Sequence, residues 1–317
     1  MPPKVVITDS TYPDASIERA ELADVGATVE LANARTPAAV IESATGADAL
    51  LNQETELPAA VFESLDELEV VARYGVGVDN IDLEAAAAHD VSVLNVPSYC
   101  ESEVATHALT LLLACRRRVP LYDDRVKGGQ WDWKDGRPIP ALEGSTVGFV
   151  AFGNIAQTFD AMLDGMPVET VAYDPYQSDE VFRAHDIESV SFETLLERAD
   201  AVSVHAPLTD ETRGLFDAEA FERMNDDAVL VNVARGPVVD DEALADALRA
   251  GELAGAGLDV LPEEPPESSP LFDIDEVVLT PHVAWYSESS METLRRRAGR
   301  GVAACLRGER PDNLVVE

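Results

Sequence analysis

Three apolar, β-branched runs in the last third of the chain each lead into a polar residue. The runs are AVLVNVARG (228–236), GAGLDVLPEEP (255–265) and VVLTPHVAW (277–285), and each predicts a buried parallel strand followed by a loop. The polar residues are Arg235, Glu264 and His282. Because ligands bind outside the carboxyl ends of the strands in open α/β sheets, we expect these three side chains to meet at one sheet edge.

A guanidinium, a carboxylate and an imidazole together suit the reduction of a 2-keto acid. A guanidinium holds a carboxylate through two parallel hydrogen bonds, and an imidazole kept charged by a carboxylate can pass a proton to a carbonyl oxygen. Taken singly, Arg235 would be a surface residue, Glu264 a solvated loop carboxylate and His282 a core histidine. However, each of the three residues follows an apolar run that predicts a buried strand, and this common position favours a single site for all three.

The same stretches resemble the D-isomer-specific 2-hydroxyacid dehydrogenases. NVARG, DVxxxEP and TPH occur in the family's order, with Glu264 five residues after Asp259, and the resemblance runs from about residue 69 to the C-terminus. It implies that Arg235, Glu264 and His282 are catalytic. PHVAWYSE and WDWKDGRPI are similar to the branch related to C-terminal binding proteins, while a phosphoglycerate dehydrogenase-like assignment stays open.

Length and composition indicate a soluble chain of about two domains, at roughly 150 residues each. Of the 317 residues, 46% are hydrophobic and 26% charged, and no apolar run approaches the roughly 18 residues that would span a bilayer. The opening MPPKVVITDS enters a strand without a signal region, so we expect a cytoplasmic protein. Three cysteines without CxxC spacing predict neither a disulfide framework nor a metal site.

The acidic charge excludes some partners. There are 60 acidic and 23 basic residues, a formal net charge of −37. Such a charge repels itself in dilute buffer, whereas at molar salt the Debye length is about 3 Å and the repulsion is screened. We therefore expect a halophilic protein that binds neither nucleic acid nor an anionic membrane surface.

The first hundred residues alternate short apolar runs with Ala- and Glu-rich helical segments. KVVITD, ATVELA, DALLN, EVVARYG and VSVLNV predict five strands, and the alternation is typical of βαβ units. The fourth run leads into RYGVGVDNID (73–82), where glycines permit a turn with exposed amides. The resemblance implies that Val76 and Gly77 meet the substrate carboxylate and that Val76 also meets the cofactor.

Residues 95–118 predict one long helix, capped by Ser98 or Ser102, that crosses between domains. His107 lies within it, and since a helix histidine is usually structural it is left out of the predicted site. By resemblance, this crossing helix implies a homodimer.

Residues 145–176 have the strand, turn, helix and strand of a dinucleotide fold. Where the fingerprint reads GxGxxG this chain has Ala151, Gly153 and Ala156, and Ala151 is tolerable only with a negative φ. Asn154 stands where the family has an arginine, so a pyrophosphate would rely on backbone amides and the helix dipole. Asp174, 21 residues after Gly153, is predicted to bind ribose hydroxyls, although it could instead cap a turn. No cation follows it at 175–176, so NAD is expected rather than NADP.

These observations predict two doubly wound α/β domains with a cleft between them. A flavodoxin-like substrate domain would comprise 1–98 plus 288–317, and a Rossmann-type cofactor domain 99–287. Hydride would pass between the nicotinamide and C2 of the substrate while His282 gives a proton to the oxygen. The open alternatives are a nucleotide-sensing binding protein with vestigial catalysis and, for the substrate, 3-phosphoglycerate.

The resemblance, with the fold, implies two sets of contact residues. The implied cofactor contacts are Val76, Gly153, Asn154, Ile155, Asp174, Ala206, Pro207, Thr212, Val233, Ala234, Arg235, Asp259 and His282. Among them, Asp259 would orient the nicotinamide carboxamide. The implied substrate contacts are Val76, Gly77, Arg235, His282 and Trp285.

Overall fold

The first hundred residues alternate strands and short helices. The computed structural model describes residues 2–316. The five apolar runs form strands because their β-branched side chains pack well on a pleated, buried surface. The strands are β1 (Lys4–Ile7), β2 (Thr28–Leu31), β3 (Ala49–Asn52), β4 (Val70–Arg73) and β5 (Ser92–Leu94), and the helices are α1 (Ser16–Glu21), α2 (Pro37–Ser43), α3 (Ala59–Ser64) and α4 (Leu83–Ala88).

The middle of the chain holds seven strands, β6 to β12, and seven helices, α5 to α11. The strands are β6 (Ser145–Val150), β7 (Val168–Tyr173), β8 (Glu188–Ser189), β9 (Ala201–Val204), β10 (Val229–Asn232), β11 (Gly255–Leu258) and β12 (Val277–Leu279). The helices are α5 (Glu101–Arg116), α6 (Val119–Lys127), α7 (Asn154–Met162), α8 (Asp179–Ala184), α9 (Phe192–Arg198), α10 (Ala218–Arg223) and α11 (Asp241–Ala250).

The C-terminal part is one long helix, α12 (Glu288–Leu306), followed by a short strand, β13 (Leu314–Val316). Ser287 begins the helix with a capping box: its hydroxyl accepts from the Ser290 amide at 3.0 Å, and the Ser290 hydroxyl accepts from the Ser287 amide at 2.8 Å. The strand β13 was not among the strands predicted from the sequence.

The contacts divide the chain into two compact units. Unit 1 comprises the described residues through Tyr99 and those from Ser287 onward, and unit 2 runs from Cys100 to Tyr286. In unit 1 the strand order is β13-β5-β4-β3-β1-β2, parallel except for β13, which pairs antiparallel with β5. In unit 2 the order is β12-β11-β10-β9-β6-β7-β8, parallel throughout. The predicted α/β class with two parallel sheets is confirmed.

Strand β10 shows why the central runs of unit 2 are apolar throughout. Val229 and Val231 join a core with Leu111 of α5, while Leu230 faces the opposite core with Leu244 of α11. Since successive strand residues point to opposite faces, both faces of the sheet are covered by helices.

The helix predicted over 95–118 is present, but its predicted bounds are wrong. The helix α5 begins at Glu101 and ends at Arg116, and α6 starts separately after Arg118, whose φ of 53° is left-handed. Pro120 explains the break because it lacks an amide proton and its ring would clash with the preceding helical turn. The predicted caps are also wrong: Cys100 occupies the N-cap of α5 without a side-chain hydrogen bond. Within residues 2–316, no helix is both long and apolar enough to cross a bilayer.

Candidate active site

The loops that carry Arg235, Glu264 and His282 leave neighbouring strands of unit 2. Strand β11 pairs in parallel with β10 on one side and β12 on the other. Each loop therefore starts from the same carboxyl edge of the sheet.

Gly236 lets the loop after β10 lie against the loop after β11. A Cβ at this position would be 2.0 Å from the carbonyl carbon of Leu261, so any other residue would displace that backbone. The Arg235 loop is also held by Asn232, whose amide group donates to the Arg235 carbonyl at 3.0 Å and accepts from the Ala234 amide at 3.0 Å. The glycine of NVARG is thus needed to bring the arginine and glutamate loops together.

Glu264 and His282 form a direct hydrogen bond. Nδ1 of His282 lies 2.6 Å from Oε2 of Glu264, while the other carboxylate oxygen accepts from the Leu261 amide at 2.9 Å. Burial opposes ionisation of Glu264, but the hydrogen bond and charge of His282, the Leu261 amide and the positive charge of Arg235 together lower the pKa of that carboxyl below its ordinary value. The carboxylate is therefore ionised at neutral pH and accepts a hydrogen bond from Nδ1 of His282.

Asp259 shapes the backbone around His282. Its side chain is 1% exposed, and the carboxylate accepts from the hydroxyl of Thr280 at 2.6 Å and from the amides of Val283 at 2.9 Å and Ala284 at 2.8 Å. His282 itself has a left-handed φ of 51°, an unusual conformation for a residue with a Cβ. Its amide donates to the Asp259 carbonyl at 2.8 Å, which helps to hold that conformation.

Trp285 also contacts the backbone of His282. Its indole Nε1 donates to the His282 carbonyl at 2.9 Å. This bond fixes one edge of the indole against the loop. Contact of Trp285 with a substrate stays a prediction.

The sequence analysis did not name Thr280, and it left His107 out of the predicted site. Nε2 of His107 lies 2.9 Å from the Thr280 hydroxyl, which itself bonds Asp259. Thr280 stands two residues before His282 in the TPH motif, and that proximity was a usable signal. Nothing near His107 in the sequence indicates the contact, because 173 positions separate the two residues.

The turn after β6 corrects one expectation. Ala151 has a φ of 65°, not the negative value that the sequence analysis required. The turn demands the left-handed conformation that glycine supplies at the first fingerprint position, and an alanine there costs roughly 1–2 kcal/mol.

The rest of this turn fits a dinucleotide. A Cβ built on Gly153 would meet no atom within 4 Å, so that side of the turn is open to a ligand. The helix α7 begins at Asn154, directly after Gly153, and has no acidic residue in its first turn, so its amides present partial positive charge to a phosphate. Ile155 lies in the same first turn.

Asp174 directly follows β7 and connects two loops through its hydrogen bonds. Its carboxylate accepts from the amides of Phe152 at 2.9 Å, Tyr176 at 2.9 Å and Gln177 at 3.1 Å. The turn-capping alternative thus describes what the side chain does in this structure. A further contact with ribose hydroxyls stays a prediction, for which a carboxylate's roughly four acceptor sites leave room.

The remaining predicted cofactor residues of unit 2 follow β9, which is the strand next to β6, and β10, which is the strand next to β9. The Thr212 hydroxyl donates to the Pro207 carbonyl at 2.6 Å and so closes the loop after β9. Ala206 in that loop is buried. Val233 and Ala234 lie between β10 and Arg235.

Val76 and Gly77 lie in unit 1, on the turn after β4. The turn begins at Gly75, whose φ is 155° and where a Cβ would lie 1.2 Å from a guanidinium nitrogen of Arg73. Asn95 donates to the Val76 carbonyl at 2.7 Å, and the Val76 side chain is 45% exposed. The turn is therefore braced by its own unit and presents Val76 outward.

Residues 109–284 match the family model described as "D-isomer specific 2-hydroxyacid dehydrogenase, NAD binding domain". The chain is 41% identical over 262 residues to D-3-phosphoglycerate dehydrogenase of Mycobacterium leprae, covering 82% of this chain and 49% of that protein. It is 38% identical over 284 residues to glyoxylate reductase of Korarchaeum cryptofilum, covering 87% of this chain and 85% of that protein. The crystal structure of TT0316 protein from Thermus thermophilus aligns with a TM-score of 0.88 and 33% identity, over 99% of this chain and 100% of that one. The chain thus spans about half the length of the phosphoglycerate dehydrogenase.

Proposed function

The chain belongs to the D-isomer-specific 2-hydroxyacid dehydrogenases, and on that premise we propose that it interconverts a 2-keto acid and a D-2-hydroxy acid with NAD as cofactor. The observation that carries the proposal is the 2.6 Å bond between His282 and Glu264, with Arg235 close enough for its charge to lower the pKa of that carboxyl. The reduction requires a proton donor, an anion that stabilises the donor and a cation that binds the substrate carboxylate. We assign these roles to His282, Glu264 and Arg235 in that order.

Arg235 binds the substrate carboxylate through its fork of N–H groups. His282 gives a proton to the substrate oxygen from Nε2, since Nδ1 faces Glu264. NADH supplies the hydride when bound. Glu264 stabilises the imidazolium before transfer, and in the reverse direction the same pair accepts the proton from the hydroxyl.

The substrate within this class is proposed from Trp285. We place the indole against the substrate side chain, and burial of apolar area contributes about 25 cal/mol per Å². Bulky apolar 2-keto acids should then react faster than glyoxylate or 3-phosphohydroxypyruvate. Because the relatives include a glyoxylate reductase and a phosphoglycerate dehydrogenase, these two compounds are the most informative comparison substrates.

Exposed apolar residues support a homodimer. Along α6 and the segment after it, Val119 is 55% exposed, Val126 47%, Trp131 89% and Trp133 67%. Exposed apolar residues at such close sequence spacing are candidates for an interaction surface, and a second copy of the chain is the partner we propose. Light scattering at molar salt measures the mass directly.

The acidic composition supports a salt-rich cytoplasm as the working environment. With a net charge of −37, self-repulsion is strong in dilute buffer and is screened at molar salt. Activity assays therefore belong at high salt.

The proposal is tested by NADH oxidation with a panel of 2-keto acids. If Arg235 makes two charge-assisted bonds of about 1.5–3 kcal/mol each, Arg235→Ala should lose roughly 10² to 10⁴ in kcat/KM, and Arg235→Lys should recover little because it lacks the fork. Arg223→Ala is the matched control, since that exposed arginine pairs with Glu219 on α10. A loss under about threefold in folded Arg235→Ala would remove Arg235 from the mechanism. NADH binding without turnover of any keto acid would favour the nucleotide-sensing alternative.

A further inference from the structure

A chain of hydrogen bonds connects α5 to the loop that carries His282. His107 on α5 contacts the hydroxyl of Thr280 at 2.9 Å, and that hydroxyl contacts the Asp259 carboxylate at 2.6 Å. Nε2 of His107 is also 3.5 Å from Oδ1 of Asp259. The chain then continues to the amides of Val283 and Ala284.

The direction of each hydrogen bond follows from the number of protons. The Thr280 hydroxyl has a single proton, which it donates to the Asp259 carboxylate. The Thr280 oxygen must then accept from His107, and Nε2 of His107 carries a proton. Every member of the chain therefore donates toward Asp259.

The packing of α5 explains why His107 reaches this place. His107 and Leu111 are four residues apart and share a face of the helix. Leu111 packs closely on β11. A Cβ built at Gly257 of that strand would lie only 2.8 Å from the Cβ of Leu111. Asp259 follows directly after β11, so the same helix face continues onto the carboxyl edge of the sheet.

We propose that His107 is a positioning residue, which acts through Thr280 and Asp259 to hold residues 280–284 and with them the imidazole of His282. The inference rests on the proposed function for its kinetic consequence, but not for its structural one. His282 has a left-handed φ of 51°, so its conformation depends on the bonds around it. Without the His107 donor, the Thr280 hydroxyl is free to turn from Asp259, and the amides of Val283 and Ala284 are held less firmly.

Two pairs of variants separate the donor from the volume of the side chain. His107→Leu removes the N–H, whereas His107→Gln keeps an N–H donor near the position of Nε2. Thr280→Val removes the hydroxyl at nearly constant shape, whereas Thr280→Ser keeps it. The donors are lost in His107→Leu and Thr280→Val only.

The first measurement is amide hydrogen exchange of peptides covering 280–286, in the chain without added ligand. We expect exchange at Val283 and Ala284 to become about tenfold faster in His107→Leu and Thr280→Val, and to stay near wild type in His107→Gln and Thr280→Ser. Wild-type exchange in His107→Leu, or equal acceleration in His107→Gln, would overturn the proposal. If His107→Leu does not fold, Thr280→Val and Thr280→Ser decide the question by the same criterion.

The second measurement is the kinetics of keto-acid reduction. His107→Leu should lower kcat about tenfold with KM changed less than threefold, and His107→Gln should restore kcat to within about threefold. An unchanged kcat in His107→Leu contradicts the positioning role. If wild type reduces no keto acid, the proposed function fails, while the exchange measurement still decides whether His107 holds the loop.

Discussion

The two units of the chain stabilise their buried carboxylates in different ways. In unit 1, Glu18 of α1 is fully buried and forms two bonds to the Arg295 guanidinium of α12, at 2.8 and 2.7 Å, besides one from the Tyr74 hydroxyl at 2.9 Å. In unit 2, Asp259 accepts from two backbone amides and one hydroxyl. Asp174, which is less buried, accepts from three backbone amides.

From this difference we infer a structural role for Glu18 and a functional one for Asp174 and Asp259. The ion pair of Glu18 and Arg295 joins two helices. Because the two charges cancel, the pair leaves little electrostatic field to attract a ligand. Amides and hydroxyls stabilise a carboxylate without cancelling its charge. Asp174 and Asp259 lie at the carboxyl edge of the sheet, where a carboxylate can act on a cofactor or a neighbouring imidazole.

The largest expected effect is on the unit 1 pair. Arg295→Met leaves Glu18 buried without its cation and should lower the free energy of unfolding by about 3–5 kcal/mol. The double variant Arg295→Met with Glu18→Leu should regain most of that loss, because the uncompensated charge is gone. Guanidinium chloride unfolding measures both. A loss under about 1 kcal/mol in Arg295→Met would show that the pair is not needed for stability.

Removing the Glu264 charge should instead affect activity. Glu264→Gln loses a charge-assisted bond worth about 1.5–3 kcal/mol, so kcat should fall roughly 10- to 100-fold. The alkaline limb of the reduction profile should also move toward acid, because the anion that favours imidazolium is absent. Rate against pH tests this, and an unmoved limb means that Glu264 is not the partner of the proton donor.

The pH dependence of stability at Glu264 has a definite sign. The pKa of this carboxyl lies below its ordinary value of 4.5 in the folded chain. Its contribution to the free energy of unfolding is therefore fully present above pH 4.5 and is lost as the pH falls through the lowered pKa. Glu264→Gln should lack that loss when unfolding is followed across the acid range.

A smaller effect is expected at Asp174, whose charge should disfavour the 2′-phosphate of NADPH. Two unit charges 4 Å apart interact by about 4 kcal/mol at an effective dielectric of 20, and molar salt reduces this. Asp174→Ala should narrow the preference for NADH over NADPH by about tenfold, mainly through KM, with Asp226→Ala as an exposed control. Equal use of the two coenzymes by wild type would contradict the assignment.

The smallest expected effect distinguishes two buried tyrosines beside the unit 1 pair. The Tyr74 hydroxyl donates to Glu18, whereas the Tyr12 hydroxyl has no hydrogen-bond partner among residues 2–316, although its ring lies 4.8 Å from the Arg295 guanidinium. Tyr74→Phe should cost about 1–2 kcal/mol, and Tyr12→Phe should be neutral or slightly stabilising. Thermal unfolding compares them. An equal loss in both variants would mean that Tyr74 contributes through its ring alone.

Local pattern was enough for much of the architecture. The five strands of the first hundred residues and the three that precede Arg235, Glu264 and His282 were predictable, because a buried parallel strand needs a short apolar, β-branched run wherever it occurs. The family was predictable for a related reason: the spacing of NVARG, DVxxxEP and TPH lies within single strand-loop segments and does not depend on distant contacts.

Tertiary structure decided the features that depend on residues far apart in sequence or on the exact path of a turn. Ala151 has a left-handed φ because the Asp174 carboxylate and the following helix set the path of its turn, which the glycine pattern alone does not reveal. Asp259 and His107 form one network only because α5 packs on β11, across 152 positions of sequence. Hydrogen bonds are short and directional, so side chains bond only when the loops that carry them leave the sheet at matching heights and angles. Those angles are set by the packing of whole helices on the sheet.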